Sequence, residues 1–219
     1  SPKGFAFDDA GSSVFPPEEA IYYFTGLLCS KLATIFMEAL NPTLNFQVGN
    51  VANIPVKFYD VDERINILVK KCIDISKDEW DLFETSWDFK VHPLLKLLDK
   101  DEQHSMKSIF LIWETECDKA FEKLKYNEEE LNRIFIDIYG LQDELTPEVE
   151  DKDITIRKAD RERDIRSFIS YAVGCMFGRY SIDAEGLIYA GGDFSYKWKV
   201  EDDKWQVRKL EKDEEGNII

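Results

Sequence analysis

The sequence is poor in the side chains from which metal and redox sites are built. Its 219 residues include two histidines, His92 and His104, and four cysteines. The cysteines stand about 40 to 60 residues apart, without a C-x-x-C pair, so neither a zinc site nor a redox-active pair is predicted. We therefore expect a reduced, cytoplasmic protein without a bound metal ion.

Long apolar runs are also absent. The most apolar stretch, residues 20–40, contains Lys31 and Glu38, whereas a membrane-spanning helix needs about 20 predominantly apolar residues. No signal-peptide pattern is found, so we expect no membrane partner. The chain starts at Ser1 rather than at a methionine and ends at Ile219 in an apolar tail, which leads us to expect a fragment of a longer protein.

Motifs of common hydrolases and nucleotide-binding proteins are missing as well. There is no G-x-S-x-G nucleophile motif, and Gly191-Gly192 is not followed by the Lys-Ser/Thr of a phosphate-binding loop. Among 44 acidic residues, no two are set apart from a solvated face as a catalytic pair. We expect no catalytic residue in this chain.

Acidic residues dominate the charge. Lys plus Arg number 28 against 44 for Asp plus Glu, a net charge of −16, which repels nucleic-acid phosphates overall. The acids are densest over residues 126–152, where nine acidic residues stand against two basic ones. Residues 153–179 are net positive, with six basic and four acidic residues. Any contact with DNA must therefore be local.

Apolar residues that recur at spacings of three and four predict a mainly α fold. Ser76 and Asn127 are interpreted as helix N-caps, Gly140 as a C-cap, and Asn41-Pro42 as a helix end. Because only a short turn would separate the two helices on either side of Asn127, we expect those helices to pack antiparallel. The predicted helices cover residues 18–40, 61–72, 76–83, 105–126, 127–140 and 160–177.

A small β component completes the predicted fold. Residues 43–49 alternate polar and apolar side chains, as in a short N-terminal strand or extended segment. Phe194, Tyr196, Trp198 and Val200 alternate in the same way before a turn at 201–204, and Trp205 and Val207 resume the alternation. This pattern predicts a C-terminal β-hairpin.

A basic cluster opens the helix predicted over 160–177. It comprises Arg157, Lys158, Arg161, Arg163 and Arg166. Arginines on an exposed helix face can hold phosphates through bidentate hydrogen bonds. Asp160, Glu162 and Asp164 interleave with them, which is equally typical of a solvated face of mutually paired charges. Both interpretations stay open.

Two further stretches also have two interpretations. The side-chain amides of Asn45 and Gln47 can read adenine in a major groove, but amides also cap turns. The aromatic-rich stretch Trp80–Phe89 is either a partner surface or packing at a helix junction.

Six runs of the sequence together resemble a known family. They are FAFDDAG (5–11), LNPTLNFQVG (40–49), IDISKDEW (73–80), FETSWDF (83–89), NEEELNRIFIDIYGLQDELTP (127–147) and FISYAVGCMFGRY (168–180). These runs resemble the PglX-type, type IIG-like adenine-specific DNA methyltransferases of BREX phage-defence systems.

The resemblance implies a parent enzyme that transfers a methyl group from S-adenosylmethionine to adenine N6 in double-stranded DNA, with the target base flipped out. This segment would lie downstream of the missing catalytic domain, with other phage-defence proteins as further partners. Residues 1–58 would end a target-recognition region, 59–192 would form a helical scaffold domain, and 193–219 a β-hairpin and truncated end. The basic helix and the Asn45–Gln47 segment would face DNA.

The family's catalytic signature, Asn/Asp-Pro-Pro-Tyr/Phe, is absent. The one Pro-Pro pair, Pro16-Pro17, stands between Phe15 and Glu18, and no glycine loop for S-adenosylmethionine precedes it. The resemblance therefore implies a DNA-recognition and scaffold segment that is not catalytic alone and binds no cofactor itself. The alternative is an acidic protein-interaction module of a phage-defence complex, with its densest charge over 126–152.

Overall fold

The computed structural model describes residues 13–41, 48–57, 63–98 and 105–188, with the backbone of 196–201 and 204–209. Short 3-10 turns lie at Glu18–Ala20 and Asp151–Asp153. The helices are α1 (Ile21–Leu28), α2 (Lys31–Leu40), α3 (Val48–Ala52), α4 (Glu63–Trp80), α5 (Pro93–Lys96), α6 (Met106–Tyr139) and α7 (Arg161–Met176). The mainly helical class predicted from the sequence is confirmed.

The described residues form two compact units. The first unit takes them from 1–76 and 120–155, and the second unit from 77–119 and 156–219. Helices α4 and α6 each contribute residues to both units. The domain bounds expected at residues 58 and 192 stay a prediction.

The first unit is built on a core of large apolar side chains from four helices. Its fully or nearly buried members are Tyr23, Leu27, Leu32, Ile65, Val69, Leu131 and Phe135. Gly26 allows the backbone of α1 to lie close to α4 and α6. A Cβ at this position would lie 2.9 Å from Val69 Cγ2 and 3.3 Å from Phe135 Cε2. The chain needs a glycine at this contact, since cores pack without spare space.

A buried amide joins three segments of the first unit. Asn132 Oδ1 accepts a hydrogen bond from the backbone N–H of Lys31 at 2.9 Å, one of the free donors at the start of α2. Asn132 Nδ2 donates to the carbonyl of Pro147 at 3.1 Å. The acidic connector that follows α6 is thereby held beside α2.

Two apolar clusters are found among the described residues of the second unit. Leu94, Leu97, Ile109, Trp113 and Cys117 form the first of them. Phe89, Tyr171 and Tyr180 form the second, in which the rings of Tyr171 and Tyr180 stack with centroids 5.1 Å apart. The aromatic residues of the stretch Trp80–Phe89 differ in their exposure. Phe89 is buried in the core, whereas Trp87 is 87% exposed.

The prediction of one helix over 18–40 is wrong. The chain breaks after Leu28, and Ser30 caps a separate helix, α2, by accepting a hydrogen bond from Ala33 N at 3.4 Å. The two parts, Glu18–Leu28 and Lys31–Leu40, meet at an angle of 75°. Among the described residues no single helix is long and apolar enough to cross a membrane, and this bent pair passes that test only when both parts are counted together.

The predicted helix boundaries at Ser76 and Asn127 are also wrong. Helix α4 runs on through Ser76 to Trp80, and Asn127 is buried inside the 34-residue helix α6. No glycine or proline interrupts either stretch, so nothing in the backbone forces a cap. The expected antiparallel pair is therefore one continuous helix. Gly140, with φ of 71°, ends α6 as predicted.

The small β component stays a prediction. Residues 42–47 lie outside the described residues, and Val48 and Gly49 begin helix α3 rather than continuing an extended segment. Near the C-terminus, β1 (Tyr196–Glu201) pairs antiparallel with β2 (Lys204–Lys209), with position 198 opposite position 207. The alternating side chains from which the hairpin was predicted lie outside the described part.

Candidate nucleic-acid interface

The basic cluster lies around the first turn of α7, and this helix agrees with the one predicted over 160–177. Asp160 is its N-cap and accepts a hydrogen bond from Arg163 N at 2.7 Å. Glu162 and Asp164 place further negative charge in the first turn, where the helix dipole favours it. The interleaved acids therefore help to begin this helix.

A buried carboxylate holds the turn in place. Asp164 is 4% exposed, and its Oδ2 accepts from the indole N–H of Trp113 on α6 at 2.9 Å. The same oxygen accepts from the backbone N–H of Asp160 at 3.0 Å, and Oδ1 accepts from Arg163 Nε at 2.7 Å. Three donors and one opposite charge compensate the cost of burying a carboxylate.

Two of the predicted DNA-binding arginines have structural contacts. Arg163 is partly buried against Asp164 and also donates from Nη2 to the carbonyl of Lys158 at 2.9 Å. The guanidinium of Arg157 lies 4.4 Å from the centre of the Phe83 ring and 3.9 Å from Glu79. Both side chains are thus paired with carboxylates of the protein itself, as the interpretation of a surface of mutually paired charges predicts.

The other two arginines face solvent. Arg166 pairs with Glu162 at 2.5 Å, but both side chains are about three-quarters exposed, at 77% and 74%. Such surface pairs contribute roughly 0–1 kcal/mol and are readily exchanged. Arg161 is exposed and has no ion pair or hydrogen bond to its side chain within the described residues. Lys158 is exposed as well.

An open groove of about 1030 Å³ lies between α7 and the start of α6. Arg161 and Arg166 line it together with Lys107, a cation that the sequence analysis did not single out. Glu114 and Glu162 also line it, and so do apolar residues, among them Phe110 and Ile165. The groove therefore combines three cations and two carboxylates with apolar surface.

Arg157, Lys158 and Arg163 do not line this groove. Asn45 and Gln47 lie outside the described residues, so their assignment stays a prediction. Nothing in the sequence could identify Lys107 as a neighbour of Arg161, because the two residues meet only through the packing of α7 on α6. Within the described part, no group of three or more His, Cys, Asp or Glu side chains could hold a metal ion.

His92 is buried beside the same helix. It caps α5 by accepting a hydrogen bond from Leu94 N at 3.3 Å through Nδ1. Its ring packs 5.2 Å from that of Phe168 on α7. Burial lowers the pKa of His92 to about 4, although the nearby Asp164 opposes the shift. The imidazole is therefore neutral at physiological pH.

Comparison with known proteins identifies relatives that align with most of the chain. The chain is 45% identical over 196 residues to the adenine-specific methyltransferase PglX of Lacticaseibacillus casei (strain Zhang), which covers 89% of this chain. It is 34% identical over 207 residues to the adenine-specific methyltransferase BrxX of Escherichia coli O9:H4 (strain HS), which covers 86% of it. No protein-family model matches.

The chain is thus related to one segment of the PglX-type adenine-specific methyltransferases. This confirms the resemblance inferred from the sequence. The chain spans 16% of the length of either relative.

The buried carboxylate predicts a large effect of a small substitution in this PglX-type segment. We expect Asp164→Asn to lower the free energy of unfolding by about 2–3 kcal/mol, because Arg163 loses its charged partner inside the fold. Glu162→Gln, an exposed acid of the same turn, should change it by less than about 0.5 kcal/mol. Urea unfolding followed by tryptophan fluorescence measures both, and equal midpoints for the two variants would contradict the role given to Asp164.

The buried histidine predicts a pH dependence. A histidine whose folded pKa of about 4 lies below its ordinary value of 6.5 stabilises the fold above pH 6.5, and this contribution is lost as the pH falls towards 4. Between pH 7 and pH 5 the chain should lose about 2 kcal/mol more stability than the His92→Asn variant, which keeps a capping side chain. Urea titrations of both proteins at pH 7 and pH 5 measure this difference. If the two proteins lost the same stability between these pH values, the role given to His92 would be ruled out.

Proposed function

We propose that this chain is a DNA-recognition and scaffold segment of an adenine-specific DNA methyltransferase in phage defence or restriction-modification. The observation that carries the proposal is the 45% identity to PglX over 89% of the chain. Residues 1–58 would end the target-recognition region, 59–192 would form the scaffold domain, and 193–219 a C-terminal hairpin.

The methyl-transfer chemistry belongs to the rest of the parent protein in this proposal. The chain contains neither the Asn/Asp-Pro-Pro-Tyr/Phe signature nor a glycine loop for S-adenosylmethionine. S-adenosylmethionine and double-stranded DNA are accordingly the cofactor and substrate of the complete enzyme, which we infer to act in the cytoplasm. Other phage-defence proteins are its further partners.

The contact with DNA is assigned to the exposed side of the basic turn. Arg161, Arg166 and Lys107 line one groove and can each neutralise a phosphate. Arg163 acts instead through the fold, by holding the carboxylate of Asp164. Because the net charge is −16, this contact is weak alone and depends on local geometry. Asn45 and Gln47 are proposed to contribute base contacts from the recognition region.

The runner-up function is an acidic protein-interaction module. The connector after α6 supports it, because Glu144, Glu148, Glu150 and Asp153 are all exposed there. Lys125 and Lys152 pair with Asp151 and Glu150, respectively, and leave most of that negative surface open to solvent. A partner with a basic surface would fit it.

A charge-reversal substitution at Arg161 distinguishes between the DNA-recognition function and the acidic interaction module. We expect the chain to bind a labelled duplex with an affinity that falls with salt, the logarithmic slope being about 0.9 per phosphate contacted. Arg161→Glu should weaken binding about fivefold or more at low salt and reduce the slope by about 1.

Lys71→Glu is the matched control, because Lys71 is an exposed residue of α4 and the substitution makes the same change in net charge. Fluorescence anisotropy at several salt concentrations gives the affinity for the duplex and its dependence on salt. Equal effects of the two substitutions would contradict a contact at Arg161. No binding at low salt would favour the acidic interaction module.

A further inference from the structure

The C-terminal half of α7 exposes large apolar side chains along one face. Met176 and Phe177 are 82% and 85% exposed, and Ile169 and Val173 are 56% and 43% exposed. Their spacing of four, seven and eight residues from Ile169 places them on a single stripe of the helix. We call these four residues the α7 stripe.

The opposite face of the same helix is already packed. Phe168, Tyr171 and Cys175 belong to, or pack against, the two apolar clusters of the second unit. From position 167 to position 178 no residue is charged, although 33% of the whole chain is. An uncharged helix segment of this kind is typical of one that is covered on most sides, and here one side has no cover within the described residues.

The α7 stripe has the composition of a protein interface. The groove beside the first turns of the same helix is also lined by apolar residues, among them Met106, Leu111 and Ile165. Ile165 precedes Ile169 by four residues, so the two side chains are neighbours on the helix. Methionine, phenylalanine and arginine are enriched at the centres of protein interfaces. Contiguous exposed apolar patches of this kind mark binding surfaces on proteins. Four uncharged side chains, by contrast, would not strengthen the binding of a row of DNA phosphates.

We propose that the α7 stripe is the docking surface for the remaining part of the parent methyltransferase. This inference rests on the proposed function in one respect, that the segment works inside a longer enzyme. The two relatives align with nearly the whole chain, yet the chain spans 16% of their length, so most of each relative lies outside it. The covering surface is apolar where it meets the α7 stripe, and it leaves Arg161 and Arg166 uncovered at the start of the helix.

The position of the stripe gives α7 two roles. Its first turn presents Arg161 to solvent, and its last turns bind the rest of the enzyme. A rigid helix of 16 residues then fixes the distance between Arg161 and the remaining part of the protein.

Hydroxyl-radical footprinting tests this directly, because methionine and aromatic side chains oxidise at rates set by their exposure. We expect Met176 and Phe177 to oxidise at least about fivefold more slowly in the complete methyltransferase than in the 219-residue chain, since interface centres exclude water. Trp87, which is 87% exposed on a turn of the same unit, is the reference side chain and should react alike in both. In the complete enzyme, Met176→Glu should restore fast oxidation of Phe177.

Three results would overturn the inference. Equal oxidation in the two proteins means that the stripe stays in solvent. Protection of the isolated chain at every concentration means that its own residues cover the stripe, and protection that grows with concentration means that a second copy does. The experiment contains no DNA, so a failure of duplex binding and a failure of docking are read separately.

Discussion

The basic turn that begins α7 depends on the buried carboxylate of Asp164. It receives hydrogen bonds from an indole on α6, from the backbone at the start of its own helix and from the Arg163 side chain. A carboxylate this deeply buried is tolerated only when its partners are all in place. This group holds the first turn of α7 against α6, and with it the turn that carries the arginines.

The five side chains of the basic cluster therefore have different surroundings. Arg163 is a partner inside the fold, and Arg157 lies on an aromatic ring. Arg161 and Arg166 are left at the edge of an open groove. An acidic chain can therefore carry a small basic surface, as the proposed role in DNA recognition requires.

Local sequence signals predicted the helices but not all their ends. Helix α7 was predictable because Asp160 caps it and its apolar spacing is regular. Asn127 has the signature of a cap yet lies inside α6, where tertiary packing overrides a weak local preference. The site was half predictable: the arginines are visible in the sequence, whereas the selection of Arg161 over Arg163 depends on Trp113, 51 residues from Asp164.

The most direct measurement of the central claim is site-specific photo-crosslinking to DNA from position 161. A benzophenone side chain is placed there in the complete methyltransferase, with position 71 on α4 as the control, and each protein is irradiated on its bound duplex. Contact through the basic turn of α7 predicts a covalent DNA adduct from position 161 and none from position 71. A bound enzyme that yields no adduct from 161, or equal adducts from both positions, would contradict it.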